Sequence, residues 1–526
     1  MNKRRFAAAA LSASMLLAVM AGCSQQSKGS DTTKSSPSAP SSAPSAASDT
    51  SSTPSNSATP GSDNAQTSGS APGTPSKEWS GETTNLTWFT VGGGLGDNYD
   101  AWKQHADEYL SKYYGVTIDY NIVPWADWDQ RRTTMITSNE PFDILFTNIS
   151  SYASDVRLNA FADITDELGK AAPDLKAYIP EMYWKGVSIN DRIYGIPTYK
   201  DSSLSNYFIY DNALMEKYKL DYKDIHTMAD LEPVLKAIKE GENEVPFPQA
   251  SGGNYAIMDF YDGLGLGLRI LGVDYKDKEA KVQNLLQNEN VVNDLKLMHK
   301  WMKAGYINED AATLKEGPSY RPVSIAQGWP LAAKTAWGPG MGIDAVVSQY
   351  GETILTNGTI QGSMNSISSS SKNVEAALRF LQAVNLDRRV RDMFYFGLEG
   401  KNFEYQGDRV KKLDEGWKAA GYTQATFFNV SLQVDDKFDQ WAEVKSLNEA
   451  AHPSVLLGFT ANPESFVNDL ANVTATWKKY ESEILTGTRD PEEAIPGIIE
   501  ELNAAGLQKI IDECQKQVNE FLAAKK

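Results

Sequence analysis

Apolar and polar residues alternate, or recur at helical spacing, in the first part of the folded chain. Residues 86–91 form an apolar and β-branched run that predicts a strand. Apolar residues recur at helical spacing over 102–113, and Gly115 predicts the end of that helix. Strict alternation over 116–122 predicts a second strand, and the short apolar run 142–146 is typical of a buried parallel strand. This order predicts an α/β lobe with its ligand chemistry at the carboxyl ends of the strands.

Polar and glycine-rich residues follow these predicted strands. Asn148 and Tyr152 come just after the third strand. The glycines at 92–96 follow the first strand, but Asp97 stands where a dinucleotide fingerprint needs its third glycine. The spacing therefore gives no support to a nucleotide site.

The rest of the chain continues with hairpin and helix signals. A hairpin is predicted to turn at Asn190-Asp191, and Thr227 with Asp230 forms a capping-box-like start of a helix. Near the end, one helix is predicted to begin at Asn462, another at Asp490 and a last one after Gly506. Cys514 lies four residues from apolar neighbours on either side, which predicts a buried thiol.

The N-terminal residues have the order of an export signal. Three basic residues at 3–5 precede an apolar run that ends in Ala21-Gly22-Cys23. This end resembles a bacterial lipobox, with Met20 where the motif usually has Leu, so we expect Cys23 to be lipidated and to begin the mature protein. Residues 24–78 contain no aromatic residue and no Val, Ile, Leu or Met. Such a segment cannot form a core and predicts a flexible tether of roughly 40 Å.

Charge and composition exclude several classes of partner and cofactor. The formal charge is −18, and removal of residues 1–22, which carry three basic residues and no acid, makes it −21. Such a surface repels nucleic acid and anionic lipid head groups. The four histidines have no ligand-like spacing, so we expect no metal site and no cofactor. With Cys23 acylated, Cys514 has no partner for a disulfide.

Several short motifs together resemble one known family. Phe142-Asp143-Ile144-Leu145, Tyr194-Gly195-Ile196-Pro197 and Tyr207-Phe208-Ile209-Tyr210-Asp211 resemble, in this order, the family 1 extracellular solute-binding proteins of bacterial ABC importers, which mostly carry sugars. The motifs Phe396-Gly397-Leu398-Glu399-Gly400-Lys401 and Asp490-Pro491-Glu492-Glu493 are similar to elements of large lipoprotein members that end in a domain of unassigned function.

The resemblance implies an α/β, two-lobed, periplasmic-binding-protein-like (type II) fold with a hinge between the lobes and a helical C-terminal extension. The chain would be divided as follows: 1–22, lipoprotein signal peptide; 23–78, lipid-anchored disordered tether; 79–203, first part of lobe 1; 204–355, first part of lobe 2; 356–400, return to lobe 1; 401–526, completion of lobe 2 and C-terminal helical domain.

The resemblance also implies a receptor that captures an oligosaccharide between two lobes and delivers it to an ABC permease. We expect a monomer that is not an enzyme, anchored through lipid at the outer face of a Gram-positive cell membrane, with no nucleic-acid partner. Flat aromatic side chains contact the apolar faces of sugars, while polar side chains bond their hydroxyls. The candidate ligand residues, chosen near predicted strand ends and lobe crossings, are Asn148, Tyr152, Tyr199, Lys200, Asp201, Tyr261, Trp329, Trp337, Asn365 and Glu399.

Two alternatives stay open at this point. A surface glycoside hydrolase would need two carboxylates about 5–9.5 Å apart, which spacing along a sequence cannot reveal. A receptor for peptides or another small solute is the second alternative, and net charge does not discriminate between these ligands.

The C-terminal helices would contact the permease, complete the ligand cleft or brace the second lobe.

Overall fold

A computed structural model describes residues 75–525. The predicted signal peptide, the lipidation site Cys23 and the tether as far as residue 74 lie outside the described residues. Among the helices of the described part, none combines the length and the apolar character that crossing a membrane requires.

Strands and helices alternate along most of the described chain. In chain order the strands are β1 (Thr84–Val91), β2 (Val116–Val123), β3 (Ile144–Thr147), β4 (Ser188–Ile189), β5 (Arg192–Ile193), β6 (Ile196–Pro197), β7 (Leu204–Asp211), β8 (Tyr261–Asp262), β9 (Leu271–Asp274), β10 (Gln283–Asn284), β11 (Val323–Gln327), β12 (Ala345–Leu355), β13 (Met364–Ile367), β14 (Phe403–Gln406), β15 (Arg409–Lys412) and β16 (His452–Pro453). The α-helices are α1 (Tyr99–Tyr114), α2 (Trp125–Thr137), α3 (Tyr152–Arg157), α4 (Thr165–Ala171), α5 (Pro173–Tyr178), α6 (Glu181–Val187), α7 (Asn212–Tyr218), α8 (Met228–Glu242), α9 (Glu289–Lys303), α10 (Gly338–Met341), α11 (Asn357–Ile360), α12 (Val374–Leu386), α13 (Arg388–Phe396), α14 (Gln440–Ala450), α15 (Val467–Trp477), α16 (Glu481–Leu485), α17 (Pro491–Ala504) and α18 (Leu507–Ala524).

The first lobe is built on a five-stranded sheet with the order β2-β1-β3-β13-β6. Strand β1 pairs in parallel with β2 and β3, whereas β13 runs antiparallel to β3 and β6. The predicted strands at 86–91, 116–122 and 142–146 are confirmed as β1, β2 and β3. Helix α1 ends as predicted at Gly115, whose φ of 63° favours glycine. Trp88 and Trp102 are fully buried in the core between the sheet and the helices.

The second lobe has its own sheet and its own core. Its four strands have the order β11-β7-β12-β16, with β7 antiparallel to both β11 and β12. The predicted capping box is confirmed, because Thr227 and Asp230 bond each other's backbone at the start of α8. Leu231 and Leu235 of α8 and Leu295 of α9 are fully buried against this sheet.

Three segments of the chain cross between the lobes, at 198–203, 356–363 and 434–439. The last crossing lies further along the chain than the predicted boundary after residue 400. Residues 403–428 still pack on lobe 1, since Trp417 Nε1 donates to Phe394 O at 3.0 Å and Gln424 Nε2 donates to Tyr120 OH at 2.9 Å. These long-range hydrogen bonds, which no local pattern reveals, keep the segment on the first lobe.

The C-terminal helices share the core of lobe 2. Buried residues of α15, α17 and α18 belong to the same apolar cluster as α8 and α9. Gly487, with a φ of 76°, lies so close to α9 that a Cβ atom there would be 2.4 Å from the carbonyl oxygen of Met298. Cys514 is fully buried in this core, as predicted, and burial raises the pKa of its thiol to about 12.

The helix predicted from Asn462 onward is divided in the structure. A 3₁₀ turn precedes α15, which ends at Trp477, and α16 is a separate helix. Helix α16 is bound to a loop of lobe 2, because Ser482 Oγ donates to Ser251 O and the Asn254 amide donates to Leu485 O at 3.1 Å. These contacts with a distant loop break a helix that the apolar spacing alone would continue.

The close approach at Gly487 predicts a large effect of a single methyl group. Gly487→Ala should lower the free energy of unfolding by about 2–4 kcal/mol, because the new Cβ meets backbone and the positive φ disfavours alanine. Gly497→Ala in α17 is the matched control, since a Cβ there meets no atom within 4 Å. The control should gain up to about 1 kcal/mol from better helix propensity. Equal losses of stability for Gly487→Ala and Gly497→Ala in urea unfolding would contradict the close packing at Gly487. Unfolding of the C-terminal helices in a separate transition would contradict a core shared with lobe 2.

Candidate functional site

The carboxyl ends of the parallel strands in lobe 1 meet at one edge of the sheet. β1 ends there at Val91, β2 at Val123 and β3 at Thr147, and β13 starts from the same edge at Met364. In open α/β sheets ligands bind beyond this edge. The crossing segments 198–203 and 356–363 reach or leave the sheet at the same end, so this edge faces lobe 2.

Lobe 2 approaches this edge with the loop between β8 and β9. Gly265 in that loop lies so close to the residues after β3 that a Cβ there would be 3.9 Å from Ile149 Cδ1. The loop is tightly folded, because Leu264 has a φ of 62° and its amide donates to Asp262 Oδ1 at 3.1 Å. The two lobes therefore border one cleft at the strand ends.

A pair of aromatic rings, one exposed and one half-buried, lies on the lobe 1 side of the cleft. Trp125 follows the end of β2 and is 46% exposed, which is unusual for a tryptophan in a folded protein. Its ring is parallel to that of Tyr422, with 6.4 Å between the centroids and 5° between the planes. The edge of Phe146, at 5.8 Å, fixes the other side of Trp125. This pair offers flat apolar surface to a ligand.

Buried polar groups hold the segment that carries Tyr422. Asn365 Nδ2 donates to the carbonyl oxygens of Thr423 and Gln424, both at 3.0 Å. The fully buried Arg391 donates to Gly421 O at 3.0 Å and to Thr426 O at 2.7 Å. Burial lowers the pKa of Arg391 to about 10, so its guanidinium is still charged at neutral pH. Residues 421–426 are therefore rigid, which keeps the ring of Tyr422 in place.

A second aromatic group lies where lobe 2 meets the hinge. Trp329, after β11, packs on Trp441 of α14 with 5.8 Å between the rings, and Trp337 packs near Tyr207 at 6.1 Å. Within residues 75–525, Trp329 Nε1 and the hydroxyl of Tyr207 are buried without a hydrogen-bond partner. A ligand with hydroxyl groups is one means of satisfying such buried polar atoms.

The ten residues chosen from the sequence fall into two groups of five. Asn148, Lys200, Asp201, Trp329 and Trp337 lie at the strand ends or beside the hinge. Lys200 and Asp201 form an ion pair at 2.7 Å. Asn148 accepts from the amide and hydroxyl of Ser150, and within the described chain its own amide nitrogen donates no hydrogen bond.

The other five lie in the cores or away from the cleft. Tyr152 is fully buried and donates to Val187 O at 2.7 Å, and Asn365 is bonded within lobe 1. Tyr199, with a φ of 41°, is packed among aromatic rings at the hinge. Tyr261 donates to Asn288 Oδ1 at 2.8 Å inside lobe 2, and Glu399 lines a small cavity beside α1. Ligand contact by the ten residues stays a prediction.

The sequence analysis missed Trp125 and Tyr422. One signal was available for Trp125, because it follows Pro124 directly after the alternating pattern of β2. Tyr422 had no such signal, since its position depends on hydrogen bonds to residues more than 30 positions away. No cluster of three or more His, Cys, Asp or Glu in residues 75–525 could hold a metal ion.

Two lobes that border an aromatic-lined cleft define a ligand-binding protein. Residues 92–387, more than half of the chain, match the family model described as bacterial extracellular solute-binding protein. The chain belongs to this family. Residues 455–523 match a second model, a domain of unknown function named DUF3502.

Similar proteins come from Streptococcus pneumoniae. A carbohydrate ABC transporter substrate-binding protein of serotype 4 is 28% identical over 473 residues, which are 85% of this chain and 93% of that protein. The crystal structure of the N-glycan transport solute binding protein NgtS has a TM-score of 0.73 and 26% identity, and covers 84% of this chain and 100% of NgtS. With Man1GlcNAc and Man5GlcNAc bound, NgtS gives TM-scores of 0.65 and 0.59.

The hydrogen bonds of Asn365 and Asn148 predict losses of stability of very different size. Asn365→Ala should lower the free energy of unfolding by about 3 kcal/mol, because the Trp88 indole and two buried carbonyl groups lose their partner. Asn148→Ala is the control and should cost less than about 1 kcal/mol, since it removes only a turn contact to Ser150. Similar losses in urea unfolding of the two variants would contradict the structural role of Asn365.

Proposed function

We propose that this protein is a surface receptor that captures an oligosaccharide between its two lobes and delivers it to the permease of an ABC importer. The observation that carries this proposal is the parallel pair of the exposed Trp125 and the half-buried Tyr422 at the strand-end edge of lobe 1. The C–H faces of a pyranose ring pack well on flat aromatic rings, and the cost of ordering the protein side is low because residues 421–426 are already rigid.

The hinge explains how binding could be coupled to a change of shape. Three crossing segments connect the lobes, so one lobe can rotate relative to the other without breaking either core. A ligand that contacts both lobes stabilises the closed arrangement, because only there does it gain both sets of contacts. On the lobe 2 side, Trp329 Nε1 is buried and has no hydrogen-bond partner among residues 75–525.

The similar proteins narrow the ligand class. The Streptococcus pneumoniae relative is named a carbohydrate ABC transporter substrate-binding protein, and NgtS has been crystallised with Man1GlcNAc and Man5GlcNAc. We therefore favour a glycan of several sugar residues that contains mannose or N-acetylglucosamine.

We further propose that the protein is held at the outer face of the cell membrane by lipid on Cys23, followed by the tether of residues 24–78. Two features of the sequence support this proposal. Basic residues at 3–5 are followed by an apolar run and then by small residues directly before Cys23, and the segment after Cys23 is polar. A receptor on such a tether would stay near its permease while its cleft reaches solvent.

The oligosaccharide proposal predicts a measurable role for Trp125. Mannose- and N-acetylglucosamine-containing glycans should raise the unfolding temperature, since ligand at about 100 times Kd adds about 2.7 kcal/mol. Trp125→Ala should weaken binding by about tenfold in calorimetry, through loss of stacking surface. Trp79→Ala is the matched control, because Trp79 is also exposed but contacts Gly115, at the opposite end of β2.

Three results would count against the proposal. Absence of binding across glycans of several linkages would favour peptides or another solute as the ligand. Equal affinity of the two tryptophan variants would remove Trp125 from the site. Release of reducing sugar from a bound glycan would indicate a hydrolase.

The proposal that Cys23 carries a lipid predicts where a Cys23 variant is found in the cell culture and how large the protein is when signal processing is inhibited. Cys23→Ser should abolish lipid attachment, so that the protein leaves the membrane fraction and is found in the medium. An inhibitor of lipoprotein signal processing should leave the unprocessed chain larger by the signal segment. Retention of the Cys23→Ser protein in the membrane fraction would contradict lipidation at this residue, and Cys514→Ser, which changes the buried cysteine, is the control.

A further inference from the structure

The C-terminal domain holds a loop of lobe 2 that leads towards the cleft. Its helix α16 bonds residues 251–254 at two points, from Ser482 Oγ to Ser251 O and from the Asn254 amide to Leu485 O. Gly253 packs so tightly here that a Cβ would lie 2.3 Å from the Cβ of Leu485. The loop therefore cannot move independently of the C-terminal domain.

A 3₁₀ turn, Tyr255–Met258, follows directly from this loop. The hydroxyl of Tyr255 donates to Glu481 Oε2 at 2.6 Å and accepts from Trp477 Nε1 at 3.2 Å. Both partners belong to the C-terminal domain. Burial, and then the bond to Glu481, raises the pKa of Tyr255, so the hydroxyl keeps its proton and continues to donate. Two bonds to one oxygen atom fix the orientation of the ring.

The ring of Tyr255 supports the guanidinium group of Arg269. The Cζ atom of Arg269 lies 4.1 Å from the ring centroid, which is a cation–π contact. Arg269 also forms an ion pair with Asp259, and Asp259 accepts from Asn206 Nδ2 at 3.0 Å. The exposed guanidinium is therefore held from one side by a ring and from another by a carboxylate.

Arg269 lies in the part of lobe 2 that borders the cleft. It follows Gly265 by four residues along the chain, and the loop of Gly265 approaches Ile149 of lobe 1. Its partner Asp259 bonds Asn206, which pairs with Gln327 at the end of β11 beside the hinge. The side chain of Arg269 is 48% exposed, so N–H groups that do not bond Asp259 can reach solvent or a ligand.

We propose that the C-terminal domain serves ligand recognition by positioning Arg269. In this arrangement Trp477 and Glu481 fix Tyr255, the ring of Tyr255 fixes the guanidinium, and the free N–H groups of Arg269 donate to neighbouring hydroxyl groups of a sugar. Tyr255 is a positioning residue, since it acts through Arg269. The inference rests on the oligosaccharide function proposed above and assigns a role to the domain of unknown function at residues 455–523.

The chain provides a matched control for Tyr255. Tyr480, in the same C-terminal domain, also donates to a glutamate, Glu501 Oε1 at 2.7 Å, and also carries an arginine, Arg489, over its ring at 5.4 Å. None of these three residues contacts the 251–269 segment through a hydrogen bond or ion pair. Tyr480→Phe therefore removes the same kind of hydroxyl bond without affecting Arg269.

The test measures glycan affinity by calorimetry on the full-length protein with Tyr255→Phe, Tyr480→Phe, Arg269→Ala and the double variant Tyr255→Phe/Arg269→Ala. We expect Tyr255→Phe to weaken affinity by about fivefold and Arg269→Ala by about tenfold or more. Tyr480→Phe should bind as the unchanged protein does. In the Arg269→Ala background, Tyr255→Phe should have no further effect, because residues that act as one unit are not additive.

The outcomes separate this inference from the proposed function. If the unchanged protein binds glycans and Tyr255→Phe equals Tyr480→Phe, or if the effects of Tyr255→Phe and Arg269→Ala multiply, the positioning role is overturned and the receptor function stands. If the unchanged protein binds no glycan, both are overturned. Glu481→Gln provides a second readout, because it weakens the same hydroxyl bond without altering any aromatic ring and should reproduce the loss of affinity. Unfolding temperatures of all variants show whether a loss of affinity follows from a loss of folding.

Discussion

The chain has to pass between its two lobes three times, and this constraint determines where everything else can lie. The first two passages, at residues 198–203 and 356–363, occur where strands of lobe 1 end or begin, and the third, at 434–439, leads into α14 beside the first. Hinge and ligand edge are therefore the same region of the molecule. Asn448 strengthens this region by bonding both Lys200 O and the amide of Ser203, so α14 holds the first crossing in place. Two stable cores on either side allow the cleft between them to change width.

Elements with a regular apolar pattern were predictable, and elements held by distant partners were not. The α1 helix with its stop at Gly115 and the capping box at Thr227 depend on a few neighbouring residues, so their sequence signals were sufficient. The division of the helix after Asn462 depends on Ser251 and Asn254, which lie more than 200 residues earlier. The extent of lobe 1 beyond residue 400 likewise depends on bonds from Gln424 to Tyr120 and Phe394.

The candidate site shows the same contrast in its residues. Proximity to a predicted strand end or hinge selected Asn148, Lys200 and Trp329, which lie at the strand ends or beside the hinge, and also Asn365, whose side chain bonds backbone inside lobe 1. Residue type and position along the chain cannot separate an asparagine that faces a cleft from one that braces a buried loop. The two kinds of asparagine differ in their hydrogen-bond partners. Asn365 bonds the carbonyl groups of Thr423 and Gln424, and only folding brings these groups close to it.

The burial of Cys514 has a consequence for the reactivity of the folded domain. It is the only cysteine among the described residues, it is fully buried, and burial raises its thiol pKa to about 12. The folded domain thus presents no reactive thiolate to oxidants or to other exported chains. A thiol reagent would react with Cys514 only when the core of lobe 2 opens, which makes Cys514 an internal reporter of unfolding.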